Sequence, residues 1–207
     1  GPRREQGALS SMSRKAEVVR HTKETQMRTA LDLDGTGVSK VSTGIGFFDH
    51  MLDSFARHGG IDLTVETQGD LHIDMHHPGE DTGIVLGQAV KEALDGFKGI
   101  RRFGHAYIPM DETLSRCAID FSNRPYLIWK VDFKTPKVGE MDTELFKDFH
   151  HAFAMNGGAC VHLECLYGTI SHHIAESGFK ALARAVRQAV ELDPKTHGHA
   201  PSTKGVL

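Results

Sequence analysis

Phe47 to Glu66 reads FFDHMLDSFARHGGIDLTVE, and Leu145 to Glu164 reads LFKDFHHAFAMNGGACVHLE. Setting Phe48 on Phe146 also pairs Phe55 with Phe153, Gly59-Gly60 with Gly157-Gly158, and Glu66 with Glu164. Further along, His76-His77-x-x-Glu80 matches His172-His173-x-x-Glu176, and both motifs run into helical text in which Ala89 pairs with Ala185 and Ala93 with Ala189. Repeats of this kind decide the fold before any local reading does. The chain is two copies of one unit, residues 16–98 and 99–196, preceded by a lead-in over 1–15 and followed by an arm over 197–207.

Each unit has the same layout. Met27, Thr29, Leu31 and Leu33 alternate as a half-buried strand, and the glycines of Leu33-Asp-Gly-Thr-Gly37 supply a tight turn. Phe47, Met51, Leu52 and Phe55 share one face of a helix that Gly59-Gly60 ends. Ile61, Leu63 and Val65 form a strand, and a second helix runs from Asp74 to Leu94. The second unit predicts strands near Tyr107–Met110, Ser115–Phe121 and Tyr126–Phe133, a helix from Thr143, a strand over Ala159–Glu164 and a last helix from about His173. The fold class is α+β: a mostly antiparallel sheet with helices packed on one face, the helices of the two halves together. The arm, HGHAPSTKGVL, has no periodicity.

Composition narrows the function. The net charge of −3 speaks against a binder that neutralises nucleic-acid phosphates. No apolar run approaches the roughly 20 residues that span a bilayer, and Gly1-Pro2-Arg3-Arg4-Glu5 lacks the apolar core of a signal peptide, so a cytoplasmic protein is expected. The 1–15 lead-in reads as disordered or as a remnant of cloning before Met12. Histidine stands out, with 14, against 3 cysteines (Cys117, Cys160, Cys165) that lack C-x-x-C spacing. Any metal is therefore held by imidazole and carboxylate.

On a helix, Glu80 neighbours either His76 or His77, whereas the two adjacent histidines diverge by about 100°. Such a pair feeds two cation sites rather than one, and His172, His173 and Glu176 supply the complementary set. A single His-His pair is more often a surface or capping feature; the same pattern at matching places in two diverged halves is poorly explained that way. His50 on the first helix is a candidate third ligand, and the matching region of the second unit offers Asp148, His150 and His151. His21, His105, His197 and His199 have no partner pattern and are assigned to solvent.

Thr22-Lys-Glu-Thr25, Leu33-Asp-Gly-Thr-Gly37, Gly46-Phe-Phe-Asp-His50-Met51, Gly69-Asp-Leu-His-Ile-Asp74, Met110-Asp-Glu112, Arg124-Pro-Tyr126, Ser171-His-His173, Phe179-Lys180 and Pro201-Ser-Thr-Lys-Gly205 stand in this order along nearly the whole chain. Together the set resembles the imidazoleglycerol-phosphate dehydratases. The resemblance implies a duplicated α+β unit, a shell of 24 subunits and two Mn2+ per site at subunit interfaces. It also implies dehydration of imidazole glycerol phosphate to imidazole acetol phosphate in histidine biosynthesis. Carried over by position, the metal ligands are His50, His76, His77, Glu80, His172, His173 and Glu176. An eighth position falls on Asp148, where many relatives have histidine and others a carboxylate. Asp148 binds through oxygen there, or His150 or His151 substitutes. Ser54, where a glutamine is common, and Pro78-Gly79 inside the first motif are further departures. Pro78 suits a first helical turn.

The resemblance assigns the phosphate to Arg102, Arg124, Ser202 and Lys204, and the chemistry agrees, since Arg, Lys and Ser offer forked donors, charge and a hydroxyl. Glu24 and Glu176 are the candidate acid and base, Glu24 also touching substrate. The expected route runs through a metal-bound imidazolate and a diazafulvene-like intermediate. Two other readings use the same residues: a di-metal hydrolase of a phosphorylated metabolite, and a metal-storing assembly. No nucleic-acid or membrane partner is expected.

Overall fold

The computed structural model describes residues 14–23, 25–69, 77–203 and 207, with only the backbone of His77. The expected lead-in falls almost wholly outside the described residues, as do Glu24, His76 and Lys204 and the expected helix start at 74–76.

The first half runs β1 (Lys15–His21), β2 (Thr25–Asp32), β3 (Ser39–Ser42), α1 (Gly46–Gly59), β4 (Asp62–Gly69) and α2 (His77–Leu94). The second runs β5 (Phe103–Met110), β6 (Thr113–Asp120), β7 (Tyr126–Lys130), a small β8 (Lys137–Val138) and β9 (Met141–Asp142) hairpin, α3 (Glu144–Gly157), β10 (Cys160–Tyr167) and α4 (Ser171–Val190). The sheet orders are β1-β2-β4-β3 and β5-β6-β10-β7. In both, the first three strands are antiparallel and the fourth, β3 or β7, is parallel to its neighbour. The repeat seen in the helices is thus a repeat of whole-sheet topology.

Alternation drives each sheet's inner face into the core. Met27, Thr29 and Leu31 on β2, Leu63 and Val65 on β4, Cys117 and Ile119 on β6, and Val161 and Leu163 on β10 are buried. The outer faces carry one matching device. Arg28 sits opposite Glu66 across β2 and β4, and Arg116 opposite Glu164 across β6 and β10, each pair making an ion pair at 3.4 and 2.9 Å.

Each helix pair closes over its own sheet, and the helices then cross between halves: α1 packs on α4 and α2 on α3. A sheet–helices–helices–sheet sandwich results, its centre filled by Phe48, Phe55, Phe146, Phe149, Phe153 and Phe179, all fully buried. Six or more buried aromatic rings at roughly 2–3 kcal/mol each make this the principal apolar stabilisation. Both first helices stop as expected: Gly60 and Gly158 take left-handed φ of 64° and 66°, each returning its N–H to carbonyls of the last turn.

Four strands escaped expectation. On β1 the inward set is Ala16, Val18 and Arg20, and the arginine, bonded to Asp81 on α2 at 3.1 Å, hides the alternation. Strand β3 offers one apolar residue in four, and β8 and β9 are two residues each. The arm is not independent of the second half: Gly99 N–H donates to His199 O (3.0 Å), and Arg102 to Pro201 O (2.8 Å).

Candidate active site

Helix α4 starts at Ser171, so its first turns present His172, His173 and Glu176. The crossing of α4 with α1 brings His50 to them. His50 Nε2–H donates to Glu176 Oε1 at 2.7 Å, and His172 Nε2 lies 3.7 Å from Glu176 Oε2. The Glu176 side chain is 6% exposed, while the imidazoles of His50 and His172 open to solvent at 56% and 46%. Lys180, one turn on, sits with Nζ 3.9 Å from the same carboxylate.

The ligand atoms of His50, His172 and Glu176 all lie within 4.8 Å of one another. A cation about 2.1 Å from each donor needs separations of roughly 3–4 Å, within reach of small side-chain rotations. Two imidazole nitrogens and a buried carboxylate suit a divalent first-row metal, which would replace the proton that His50 now gives to Glu176.

His173 diverges from His172, as adjacent helical residues must. Its Nδ1–H donates to Glu112, in the β5–β6 turn, and its Nε2 faces Asp111 Oδ2 at 3.9 Å. Glu112 also accepts from the Thr113 hydroxyl and from the backbone N–H groups of Thr169 (2.8 Å) and Ile170 (3.1 Å). The Thr113 hydroxyl, with His173 and the two N–H groups behind it, holds the Glu112 carboxyl far below the usual carboxylate range.

The matching position in the first half is the α2–α3 crossing. Glu80 and Asp148 are both exposed there, where the first turn of α2 meets the start of α3; a Cβ on Gly79 would stand 2.9 Å from Leu145 O. His77 is the first described residue of α2, whose expected start at Asp74 lies outside the described residues, as do the His77 side chain and all of His76. Of the three candidates near the eighth position, His150 is removed. It is 2% exposed, donates Nδ1–H to Phe146 O at 2.6 Å and packs on Trp129, Phe149 and Phe179. Burial pushes its pKa down to about 4, against a smaller upward pull from the Phe146 carbonyl. The repeat explains the loss: His150 stands where the first half has the core residue Leu52. Asp148 and His151 remain exposed, and His21, His105, His197 and His199 face solvent as expected.

The phosphate candidates meet elsewhere. Arg102, Arg124 and Ser202 line one cleft of about 390 Å³ with Ser122 and Asn123. Arg102 is held by Asp120 (Nε to Oδ1, 2.6 Å), and Arg124 is exposed. Arg102 N–H donates to Ala189 O, near the far end of α4. At 1.5 Å per residue this places the cleft roughly 25 Å along α4 from His172.

The family model described as imidazoleglycerol-phosphate dehydratase matches residues 43–186, which take in both helix crossings. The chain belongs to the imidazoleglycerol-phosphate dehydratase family. A dehydratase of Phenylobacterium zucineum is 87% identical over 196 residues, covering 95% of this chain and all of that relative. That of Azorhizobium caulinodans is 58% identical over 194 residues, covering 94% and 98%. Among solved structures, imidazoleglycerol-phosphate dehydratase from Staphylococcus aureus subsp. aureus N315 superposes with a TM-score of 0.79 at 38% identity, covering 86% of this chain and 99% of that one. The enzyme abbreviated IGPD from Pyrococcus furiosus gives 0.79 at 34%, covering 92% and 100%. As a family member the chain is an enzyme, a hydro-lyase of histidine biosynthesis.

Glu112 enters the sequence pattern only within Met110-Asp-Glu112 and without a role, yet a signal for one exists. Glu24-Thr25-x-x-Arg28-x-Ala30-x-Asp32 recurs as Glu112-Thr113-x-x-Arg116-x-Ala118-x-Asp120. Glu112 is thus the second-half copy of Glu24, one of the two dehydratase proton-transfer candidates.

Proposed function

We propose that this chain removes water from imidazole glycerol phosphate to give imidazole acetol phosphate, in the cytoplasm, as one of 24 subunits using two Mn2+ per site. One observation supports the reading: His50, His172 and Glu176, a set that could hold a cation, stand at one end of α4, and a cleft lined by Arg102, Arg124 and Ser202, whose chemistry suits a phosphate, at the other. The substrate, three carbons between a five-membered ring and a phosphate, is far shorter than the roughly 25 Å between them. A complete site then joins the cation end of one chain to the phosphate end of another, which supports an obligatory, symmetric assembly.

The hydroxyl to be lost is on the carbon bonded to the imidazole, and the neighbouring C–H is not acidic. A bound divalent cation supplies stabilisation of that ring in its deprotonated form. His50, His172, His173 and Glu176, with His76, His77, Glu80 and Asp148 of the other crossing, would hold the ions. Arg102, Arg124, Ser202 and Lys204 would anchor the phosphate and so orient the carbon chain. With ring electrons expelling hydroxide through a diazafulvene-like form, Glu176 and Glu24 divide the proton transfers. One hands a proton to the departing hydroxyl, and the other takes one from the next carbon, giving an enol that becomes the ketone. Glu176 can serve both as ligand and in proton transfer because its two oxygens address different neighbours.

Incubation with imidazole glycerol phosphate tests this. The expected result is the ketone with its phosphate ester intact, lost on chelation and restored by Mn2+. Release of inorganic phosphate would replace the lyase by a hydrolase; unaltered substrate would leave only metal storage.

A further inference from the structure

The turn between β5 and β6 does more than connect two strands. Glu112 uses one carboxylate oxygen, Oε2, for the N–H groups of Thr169 and Ile170 and the Thr113 hydroxyl, and the other, Oε1, for His173 Nδ1. Ile170 precedes the first turn of α4 and offers no side-chain cap, and Glu112, from another strand pair, ties down the two residues that lead into the helix. An ionised carboxylate only accepts hydrogen bonds. With Glu112 against it, the His173 imidazole must carry its proton on Nδ1, leaving a lone pair on Nε2, whose neighbour Asp111 Oδ2 stands 3.9 Å away, beyond hydrogen-bond distance. The two histidines of the motif are therefore prepared differently, since among the described residues His172 meets a carboxylate only through Nε2, at 3.7 Å from Glu176 Oε2.

We propose that Glu112 is a positioning residue that fixes the tautomer and orientation of His173, so that Nε2 is presented as a cation ligand. Carboxylate partners of metal-binding histidines act in this way, and their removal typically weakens metal binding by about 10–100-fold. The proposal rests on the reading of His173 as a ligand. It also gives the duplicated Glu-Thr-x-x-Arg-x-Ala-x-Asp segment two uses: the first-half Glu24 is offered to the reaction, and the second-half Glu112 is committed to a histidine.

Glu112→Gln separates positioning from mere stapling. The amide oxygen still accepts from Thr169 and Ile170, which turns the NH2 toward His173 and forces Nδ1 to become an acceptor. The protonated nitrogen is then Nε2, the wrong one for a cation. Mn2+ alone is titrated into the metal-free assembly and followed by the electron paramagnetic resonance signal of free Mn2+, with the metal-free thermal midpoint recorded alongside. The expected result is affinity about 10–100-fold weaker for part of the bound Mn2+, with the metal-free midpoint nearly unchanged. Glu112→Asp, whose carboxylate is withdrawn by one methylene and cannot keep every contact, should lie between wild type and Glu112→Gln. Wild-type affinity in either variant overturns the proposal, and Glu112→Asp decides alone should Glu112→Gln not fold. His173→Gln is the control: unaltered Mn2+ binding there overturns the ligand reading itself, whereas a loss there without a loss in Glu112→Gln or Glu112→Asp overturns only the role of Glu112.

Discussion

The two helix crossings at the centre of the molecule descend from one pattern and are packed in opposite ways. In α2 the residues facing α3 are Gly79, Gly83 and Gly87, one per turn, and the helices touch backbone to backbone. A Cβ on Gly83 would stand 2.5 Å from Phe149 O, and one on Gly87 2.7 Å from Phe153 O. In α4 the same places hold Ala175, Phe179 and Ala183, and the Phe179 ring packs against Phe149, Phe146 and Phe48 at centroid distances of 5.1, 6.0 and 6.4 Å. The chemistry follows the packing. The α1–α4 crossing buries Glu176 and assembles His50, His172 and Glu176 within a single chain, whereas the α2–α3 crossing leaves Glu80 and Asp148 exposed. Among the described residues, the two motif carboxylates differ in burial as the two helix contacts differ in packing.

The sharpest way to break this comparison is to remove the two motif carboxylates in turn. Glu176→Gln should lower kcat by about 10²–10⁴-fold with little change in KM, because a proton-transfer group is lost. Glu80→Gln should cost less and recover at high Mn2+, as expected of a ligand alone. Steady-state kinetics over a Mn2+ series checks both, and equal, metal-insensitive losses would erase the distinction.

Packing is tested next. Phe179→Ala opens a cavity among three rings and should destabilise by about 3–5 kcal/mol. Gly83→Ala overpacks a backbone contact and should cost about 1–3 kcal/mol. Denaturant midpoints measure both, and a neutral Gly83→Ala would mean that the helices are not held by close approach.

His150 adds a pH term that its counterpart Leu52 lacks. Its folded pKa is about 4 against an ordinary 6.5, so between these values the unfolded chain binds a proton that the folded chain refuses. Stability is therefore complete above pH 6.5 and declines as pH falls toward 4, by on the order of 3 kcal/mol at full protonation. Among the described residues the buried Nε2 also has no hydrogen-bond partner. His150→Leu, copying the first half, should raise the thermal midpoint more at pH 5 than at pH 8. An equal gain at both would remove the histidine from the pH dependence.

Much of this was legible in the sequence. Apolar spacing around Phe48 and Phe146 gave the helices, glycines 59–60 and 157–158 their ends, and the doubled His-His-x-x-Glu the divergence of His172 from His173. What escaped depended on partners distant in the chain. Strand β1 turns an arginine inward because Asp81 receives it, His150 reads as a ligand until its neighbours prove to be aromatic, and Glu112 gains meaning only when a hairpin turn meets the start of α4. Periodicity reports which face is buried, not which distant group satisfies a polar exception on it.

The most direct test of the shared site is complementation. Glu176→Gln removes the proposed proton-transfer carboxylate at the cation end and Arg124→Ala the proposed phosphate anchor, and each assembly alone should be nearly inactive on imidazole glycerol phosphate. Dissociated together and reassembled, they should form some sites from two intact halves, with turnover well above either parent. Mixed assemblies as inactive as their parents would place both ends in one chain and contradict the account.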